Sequence, residues 1–365
     1  MSATATIERA LHPRYYTTSA IFEQEKERIF FRNWLFVGHQ SQVANPGDYF
    51  TLTLLDQSLF VMRGTDGQLR GFYNVCPHRA HELLSEAQGN KKAIVCPYHA
   101  WAYETNGKLR SARGTEQVAG FDLNMVCISQ FKVEVFCCFI FINLDPNAKP
   151  MAEVYPGVEE GIRALAPQID EVVYTYHHTK HLNANWKVAV ENYNECYHCP
   201  GVHRTFSSGV VDPDSYRIAP GTNCLLHTAQ SQPRGKQAYE LDLSDENATK
   251  YGSFYMWPSF SIQIYPGGVV NTYHWFPLDV ENTVVHRSWF FDSPNATPEQ
   301  WEIIELDRTT TFAEDLSIID SVQRGLKSRG YQPGPLVLDP SGIATTKSEN
   351  TAYELKKLVL AALEV

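Results

Sequence analysis

The chain has 365 residues, a formal net charge of −10, 43% hydrophobic residues and 12% aromatic residues. This composition is typical of a globular protein of about two domains, and it excludes extensive disorder. The acidic charge excludes the basic surface of a nucleic-acid-binding protein, and no apolar run approaches the roughly 18 residues that cross a bilayer. The N-terminus does not resemble a secretory signal, so we expect a cytoplasmic protein whose Cys residues bind metal rather than form disulfides.

In chain order, the sequence first predicts a helix over residues 17–34. Short strands separated by turns follow over about 45–145. They are predicted over 49–55, 58–63, 71–75 and, as one long apolar strand, 132–144. We therefore expect an N-terminal helical segment (1–40), a β-rich domain (41–148) and a larger C-terminal domain (149–365).

The C-terminal part alternates between helical and β-rich patterns. Helices are predicted over 157–165, 185–196, 297–329 (one or two helices) and 349–363, and strands over 253–265, 269–277 and 284–292. Residues 204–250 are polar and loop-like, too long for a plain connection, and are a candidate lid. The chain contains neither GxGxxG nor GxxxxGK[ST], so any electrons must come from another protein.

Two short loops combine the same metal-binding residue types. The first is Cys76-Pro77-His78 and the second is Cys96-Pro97-Tyr98-His99. Two thiolates and two imidazoles are what a Rieske-type [2Fe–2S] cluster requires, with two Cys on one iron and two His on the other. A structural zinc site is the alternative. Zinc fingers usually pair Cys with Cys and His with His along the sequence, whereas each loop here mixes the two types, so the pattern favours the cluster.

A second dense constellation is ENYNECYHCPGVH, residues 191–203. His198 lies three residues after Glu195, which places both on one face of the predicted helix. Pro200-Gly201 is expected to end that helix and to let His203 turn back toward His198. Two His and one distant carboxylate form the facial triad of non-haem Fe(II) oxygenases, which leaves positions open for dioxygen.

The carboxylate of such a triad must come from elsewhere in the chain. Asp315 is the preferred candidate because it shares a helix face with apolar residues, and a metal would compensate an inward-facing charge. Asp320 and Glu314 are the competing choices. Cys196 and Cys199 form a CxxC that could be redox-active or zinc-binding. We interpret them as small buried packing residues, because no second Cys pair completes a zinc set.

The sequences CPHRAHELLS and CPYHAW, followed by NYNECYHCPGVH, resemble the oxygenase (α) component of the Rieske non-haem iron oxygenases over nearly the whole chain. The resemblance implies an α+β protein with an N-terminal antiparallel-β Rieske domain and a C-terminal helix-grip (Bet v 1-like) domain with an antiparallel sheet. It also implies a homotrimer and a separate flavin/iron–sulfur reductase that supplies electrons from NAD(P)H. The implied ligands are Cys76, His78, Cys96 and His99 for the cluster, and His198, His203 and Asp315 for Fe(II).

Glu195 occupies the position of the carboxylate that, in the family, passes electrons from one subunit's cluster to the neighbouring subunit's iron. Most members have Asp there, and Glu resembles the branch of carnitine monooxygenase and of the oxygenases that act on betaine- and choline-like compounds. Two departures are Ala80, where Gly is usual, and Asn194, where Leu or Val is common. We expect Ala80 to require only that the backbone there avoids positive φ.

The branch resemblance implies a monooxygenase that oxidises a C–H bond next to nitrogen in a quaternary ammonium compound, with C–N cleavage or N-demethylation. Hydroxylation or demethylation of an aromatic acid is the alternative, and an electron carrier or iron–sulfur sensor is a third interpretation. Aromatic rings could bind an ammonium group through cation–π attraction, although core packing explains most such residues equally well. The candidate pocket residues are Tyr193, Tyr197, Trp257, Tyr265 and Trp275.

Overall fold

A computed structural model describes residues 7–233, 235–241 and 247–363. The chain divides into two compact units, Phe31–Pro150 and Met1–Phe30 together with Met151–Val365. This division differs from the predicted boundaries, because the N-terminal segment belongs to the larger unit. Among the described residues, none of the helices is both long enough and apolar enough to cross a membrane.

The unit Phe31–Pro150 consists of antiparallel strands in two sheets. Its strands are β1 (Leu35–His39), β2 (Asp48–Leu54), β3 (Gln57–Arg63), β4 (Leu69–Tyr73), β5 (Gln88–Asn90), β6 (Ile94–Val95), β7 (Ala102–Tyr103), β8 (Leu109–Ser111), β9 (Gln130–Phe136) and β10 (Phe139–Asn143). One sheet has the order β1-β10-β9-β4-β3-β2-β5 and the other β6-β7-β8. A buried core that includes Phe60 and Phe72 extends to Cys76 and Cys96, so the two Cys-His loops stand on a packed base.

The predicted long strand over 132–144 is wrong, because the chain reverses direction within it. Strands β9 and β10 form a hairpin in which Phe139 pairs with Phe136. The two turn residues, Cys137 and Cys138, have φ values of 48° and 63°. Tight hairpin turns require such positive φ values and are usually marked by Asn or Gly. Cys137 and Cys138 are not typical turn residues. The apolar sequence pattern therefore continues through the turn and predicts a single strand.

The larger unit packs a third sheet, also antiparallel, against helices. Its helices are α1 (Arg14–Thr17), α2 (Ser19–Glu25), α3 (Met151–Val154), α4 (Val158–Leu165), α5 (Trp186–Asn194), α6 (Cys199–Val202), α7 (Pro298–Thr309), α8 (Thr311–Leu326) and α9 (Asn350–Leu363). Its strands are β11 (Val173–Leu182), β12 (Arg217–Gly221), β13 (Cys224–Gln230), β14 (Lys250–Met256), β15 (Phe260–Tyr265), β16 (Val269–Pro277) and β17 (Thr283–Phe291). The order is β11-β17-β16-β15-β14-β13-β12. Helix α5 contacts α8 and β16, and the predicted α+β fold class is confirmed.

The prediction that residues 204–250 are loop-like is wrong for part of that segment. It contains β12 and β13, and β13 pairs with β14 along seven residues, from Cys224↔Met256 to Gln230↔Lys250. These strands therefore complete one edge of the sheet. Polar residues dominate their exposed positions, which hides the strand pattern. The part of the proposed lid at residues 234 and 242–246 lies outside the described residues.

Buried polar contacts attach the N-terminal segment to α5. The Glu25 carboxylate accepts hydrogen bonds from Lys187 Nζ at 2.5 Å and from Trp186 Nε1 at 2.9 Å. The Tyr16 hydroxyl donates to Glu191 at 2.6 Å. Burial raises the pKa of Glu191 to about 7. Because unpaired buried charges are costly, these partners fix the first turns of the chain on the helix that leads into the second constellation.

Candidate metal centres

The two Cys-His loops have the same backbone hydrogen bonds. In each loop the Cys carbonyl accepts from the N–H of an Ala four residues later: Ala80 to Cys76 and Ala100 to Cys96, both at 3.0 Å. In each loop the Cys N–H also donates to the carbonyl five residues later, at 2.8 Å. The repeated geometry presents one thiol and one imidazole from each loop.

The expectation that Ala80 avoids positive φ is wrong. Ala80 has φ 57°, and Ala100, at the equivalent position of the second loop, has φ 59°. The left-handed region brings Cβ close to the carbonyl oxygen and is unfavourable for residues other than Gly. The chain therefore carries backbone strain in both loops, at the positions where the hydrogen-bonded turns close.

The side chains of the loops separate into buried thiols and exposed imidazoles. Cys76 and Cys96 are both 2% exposed, and the Tyr103 hydroxyl lies 3.1 Å from the Cys76 sulfur. The rings of His78 and His99 are exposed, and their centroids lie 4.7 Å apart. Burial raises the pKa of Cys96, and the Cys76 thiol raises it further, so a thiolate here needs a cation. The arrangement fits a [2Fe–2S] cluster with a buried Cys iron and an exposed His iron.

Three further donors converge in the larger unit. His198 Nε2 lies 3.1 Å from His203 Nε2, and Asp315 Oδ1 lies 3.5 Å and 3.1 Å from those two nitrogens. Two neighbouring ligands bound at about 2.0–2.1 Å to one metal are about 2.8–3.0 Å apart in octahedral geometry and about 3.3–3.4 Å apart in tetrahedral geometry. The three predicted residues therefore come together at the separations that a single ion requires. Asn192 Nδ2 donates to the same Asp315 oxygen at 3.2 Å.

The predicted local structure around these His residues is wrong in one respect. Helix α5 ends at Asn194, because Glu195 has extended dihedrals (φ −113°, ψ 109°). Glu195 and His198 thus lie beyond the helix and not on its face. Pro200-Gly201 lies inside the short helix α6 instead of ending a longer one. The prediction that His203 turns back toward His198 is confirmed by the 3.1 Å distance between the rings.

A carboxylate contacts the outer nitrogen of each His. Glu195 Oε2 lies 3.1 Å from His198 Nδ1, and Glu314 Oε2 lies 2.9 Å from His203 Nδ1. A carboxylate at Nδ1 holds the proton there and leaves the Nε2 lone pair for a metal. Glu314, one of the competing ligand choices, therefore lies behind His203 instead of at the centre. The sequence did not predict this contact of Glu314 with His203 Nδ1. The contact depends on the path of helix α8 relative to His203.

Protons and a metal ion would compete for the same donor atoms at this site. Burial lowers the pKa of His198, but hydrogen bonds with Asp315 and Glu195 outweigh it and raise the pKa to about 9. Burial raises the pKa of Asp315, and hydrogen bonds with His198 and His203 outweigh it and lower the pKa. The carboxylates thus stabilise positive charge where the three donors meet. A divalent cation would supply that charge once the His protons leave.

Cys196 and Cys199 form a disulfide, so the interpretation of both as simple packing residues is wrong. Both are buried, at 3% and 7% exposure. Donor atoms of His198, Cys199 and His203 all lie within 4.8 Å of one another. The disulfide therefore lies beside the candidate iron site.

A narrow cavity of about 40 Å³ adjoins the triad. This volume has room for about two or three water molecules. Its lining combines the triad with aromatic and neutral polar side chains: Asn192, Tyr193, Cys199, Phe206, Tyr216, Tyr251, Gln263, Tyr265, Tyr273 and Thr311. Trp275 lines a neighbouring, smaller cavity that also includes Tyr193 and Asp315. Of the predicted pocket residues, Tyr193, Tyr265 and Trp275 are thus placed at the site.

The other two predicted pocket residues line neither of these cavities. Tyr197 is 47% exposed and lies in the short segment between α5 and α6. Trp257 is 4% exposed and packs edge-on against Trp186 with ring centroids 5.7 Å apart. Its carbonyl accepts a hydrogen bond from the Tyr155 hydroxyl at 2.7 Å. Trp257 is therefore a core residue.

A fully buried ion pair supports one wall of the cavity. Arg287 and Asp307 contact each other at 3.0 Å with fully buried side chains. The Tyr265 hydroxyl donates to Asp307 at 2.8 Å, and Arg287 donates to Gln263 at 3.0 Å. The guanidinium also lies 3.9 Å from the centroid of the Tyr273 ring. Three lining residues are thus held by a pair of residues that are far apart in the sequence, which explains why sequence reasoning missed it.

The unusual Asn194 has a buried partner. Its Oδ1 lies 3.1 Å from His227 Nε2, and His227 Nδ1 lies 2.9 Å from the Tyr216 hydroxyl. An amide oxygen only accepts hydrogen bonds, so His227 donates through Nε2 and accepts from Tyr216. Burial lowers the pKa of His227 to about 3, which keeps it neutral. A polar network therefore connects a lining residue to the neighbour of Glu195.

Comparisons with known proteins agree with this geometry. The model of the ring-hydroxylating alpha subunit (catalytic domain) matches residues 169–364, and that of the Rieske [2Fe–2S] domain matches residues 33–122. The carnitine monooxygenase oxygenase subunit of Escherichia coli (strain K12) is 38% identical over 331 residues, which cover 90% of this chain and 87% of that protein. The chloroplastic choline monooxygenase of Beta vulgaris is 28% identical, over 91% of this chain and 74% of that protein.

The fold is also similar to that of a solved protein. The structure of a quaternary ammonium Rieske monooxygenase, described for carnitine oxidation and inter-subunit electron transfer, superposes with a TM-score of 0.87 at 35% identity. The match covers 98% of this chain and 96% of that one.

Proposed function

The chain belongs to the family of ring-hydroxylating oxygenase alpha subunits with a Rieske [2Fe–2S] domain, and from that membership we propose that it oxidises a quaternary ammonium compound. It is an oxidoreductase of the Rieske class, with a [2Fe–2S] cluster, mononuclear iron and dioxygen. The proposal adds the substrate class, which the named activities of the carnitine and choline enzymes support.

The charge around the triad is the observation that carries this proposal. Asp315, Glu195 and Glu314 place three carboxylates around two His residues. With neutral His and one divalent ion, their formal charges add to −3 + 2 = −1. Negative charge attracts a cationic substrate and repels an aromatic carboxylate. The cavity-lining residues include no Lys or Arg among the described residues, so nothing there would pair with a benzoate-type acid.

The aromatic lining supplies the second attraction. Tyr193, Tyr265 and Tyr273 face the cavity, and Tyr193 lies 4.8 Å from Tyr273 between ring centroids. A ring that faces a desolvated ammonium group contributes about 0.5–2 kcal/mol. A trimethylammonium group is larger than the cavity, so its entry requires these rings to move apart.

We assign the cluster to Cys76, His78, Cys96 and His99 and the iron to His198, His203 and Asp315. When bound, the iron activates dioxygen and the cluster delivers single electrons. Glu195 holds the Nδ1 proton of His198, and its side chain is still 17% exposed. It can therefore also contact a cluster His of a neighbouring subunit and couple the two centres. Glu314 and Asn192 orient His203 and Asp315 through the contacts given above.

The expected product follows from the substrate chemistry. Hydroxylation of a carbon bonded to the ammonium nitrogen gives a carbinolamine. Its C–N bond then breaks, which releases a tertiary amine and a carbonyl compound. The outcome is C–N cleavage or N-demethylation, depending on which carbon faces the iron. We also propose a separate flavin/iron–sulfur reductase as the electron source, and the homotrimer and cytoplasmic location remain predictions.

A substrate screen tests the proposal. The protein is combined with a Rieske-oxygenase reductase and NADH, and oxygen uptake and product are measured with carnitine, betaine, choline and benzoate. We expect stoichiometric product from at least one ammonium compound and none from benzoate. Product from benzoate alone would overturn the proposal in favour of aromatic acid oxidation. Iron content tests the carrier interpretation, because a carrier holds two irons per chain and the oxygenase three.

The bridging role of Glu195 has its own test. Glu195→Ala should retain all three irons and yet lose nearly all turnover, because both hydrogen bonds to His198 disappear. Glu195→Asp, which places the family's usual residue there, is the matched control and should keep substantial turnover. Full activity of Glu195→Ala would refute the role.

A further inference from the structure

The disulfide partner Cys199 is placed where it could bind the metal. Its sulfur lies within 4.8 Å of donor nitrogens of both His198 and His203, and it lines the cavity beside the triad. The His203 N–H donates to the Cys199 carbonyl at 2.8 Å, so the short helix α6 holds these two residues together. The sulfur is bonded to the Cys196 sulfur.

How strongly the Cys199 sulfur can bind a metal depends on whether it is part of a disulfide or is a thiolate. A disulfide sulfur carries no negative charge and is a weak ligand, whereas a thiolate is a strong, soft ligand. Reduction by a dithiol breaks the S–S bond, transfers two electrons and two protons to the pair, and converts the dithiol to its disulfide. The Cys199 proton then leaves when the sulfur binds a metal.

We propose that Cys196–Cys199 is a reducible pair that sets the number and softness of the protein ligands. With the disulfide intact, His198, His203 and Asp315 form a three-ligand site with open positions, which suits Fe(II) oxygenase chemistry. After reduction, Cys199 becomes a fourth ligand. Two imidazoles, one carboxylate and one thiolate form a closed tetrahedral set of the kind that Zn²⁺ favours. The reduced protein therefore accepts zinc in place of iron, whatever substrate the oxygenase uses.

Two variants separate this role from a purely structural one. Cys196→Ser and Cys199→Ser both remove the disulfide, but only Cys196→Ser retains the Cys199 thiol. Each protein is prepared with its [2Fe–2S] cluster intact and its mononuclear iron removed, and it then receives one equivalent of Zn²⁺. The cluster contains no zinc, so X-ray absorption at the zinc edge reports only the added ion. An unchanged far-ultraviolet circular dichroism spectrum and an unchanged thermal unfolding midpoint verify that both variants fold.

The expected result is a zinc–sulfur shell at about 2.3 Å in two preparations. These are the wild type reduced with dithiothreitol and freed of reagent without air, and Cys196→Ser without any reductant. Oxidised wild type and Cys199→Ser should show only nitrogen and oxygen neighbours. Competition with a chromophoric chelator should show at least about tenfold tighter zinc binding in the first two, since even the loss of an outer-shell partner costs that much. A reduced wild type without zinc–sulfur scattering, or a Cys199→Ser protein with it, would overturn the proposal.

Discussion

Ala80 and Ala100 offer a direct test of the strain in the two cluster loops. Both residues have φ near +58°, at 57° and 59°. The left-handed conformation costs a non-Gly residue about 1–2 kcal/mol, and the extra freedom that Gly has in the unfolded chain offsets about 0.5–1 kcal/mol of any gain. Replacement by Gly should therefore raise the free energy of unfolding by about 0.5–1 kcal/mol at each site.

The assay is thermal unfolding of the protein, followed by loss of the cluster absorbance. The unit Phe31–Pro150 is of a size at which 1 kcal/mol shifts Tm by about 3–5 °C. Ala80→Gly and Ala100→Gly should each raise the midpoint by about 2–5 °C, and the double variant should show roughly the sum.

Ala87 is the matched control in the same unit. Its carbonyl accepts from the Thr51 N–H at 2.9 Å, and it is not among the residues with positive φ. Ala87→Gly should lower the midpoint, since only the unfolded-state cost applies. If Ala80→Gly and Ala100→Gly also lowered it, the conclusion that the loops hold Ala in the left-handed region would be refuted.

Three further predictions concern buried polar groups in the larger unit. Lys187→Met should cost about 3–5 kcal/mol, because it leaves the Glu25 carboxylate buried without its cation; urea unfolding measures the loss. Glu191 has its pKa raised by folding to about 7, so its contribution is fully present below pH 4.5 and is lost as pH rises through 7. Stability should thus fall by roughly 3 kcal/mol between pH 4.5 and 7.5, and Glu191→Gln should remove that part of the pH dependence. Asn194→Leu should cost about 1–3 kcal/mol, because His227 Nε2–H loses its acceptor.

Two of these predictions have a matched second substitution, and each of the three has an outcome that would contradict it. Glu25→Gln added to Lys187→Met should recover most of the loss, and a loss below 1 kcal/mol in the single variant would mean that the N-terminal segment is not docked on α5. Equal pH profiles of wild type and Glu191→Gln would contradict the assignment of that titration. His227→Phe added to Asn194→Leu should cost less than the sum of the two single losses, because the donor and its acceptor are removed together, whereas purely additive losses would show that the two residues are not coupled.

Short-range sequence patterns predicted those site residues that are close together both in the sequence and in the folded protein. Mixed Cys-His loops with short internal spacing singled out the residues that we assign to the cluster, and two His five residues apart singled out the pair that meets at 3.1 Å. Helical periodicity selected Asp315 over Asp320. The strand over 269–277 was predicted with the bounds of β16, Val269–Pro277, because most of its residues are β-branched or aromatic.

Features that depend on tertiary contact escaped sequence reasoning. Glu314 and Asp315 are adjacent, and only the path of α8 decides that one lies behind His203 and the other at the centre. Arg287 and Asp307 are distant in the sequence, and their pairing is visible only in the folded sheet. The bond between Cys196 and Cys199 is ambiguous in the sequence because a CxxC spacing suits a metal, a disulfide or two thiols equally.

The central claim is that a Rieske cluster delivers an electron to a separate iron while a quaternary ammonium compound is oxidised. The most direct measurement is a single turnover of the dithionite-reduced, reagent-free protein, followed by electron paramagnetic resonance and product analysis. We predict a rhombic signal from the reduced cluster that persists in air alone and disappears when carnitine or a related ammonium compound is present, with product formed in proportion. Absence of the rhombic signal, or its loss without any product, would contradict the account.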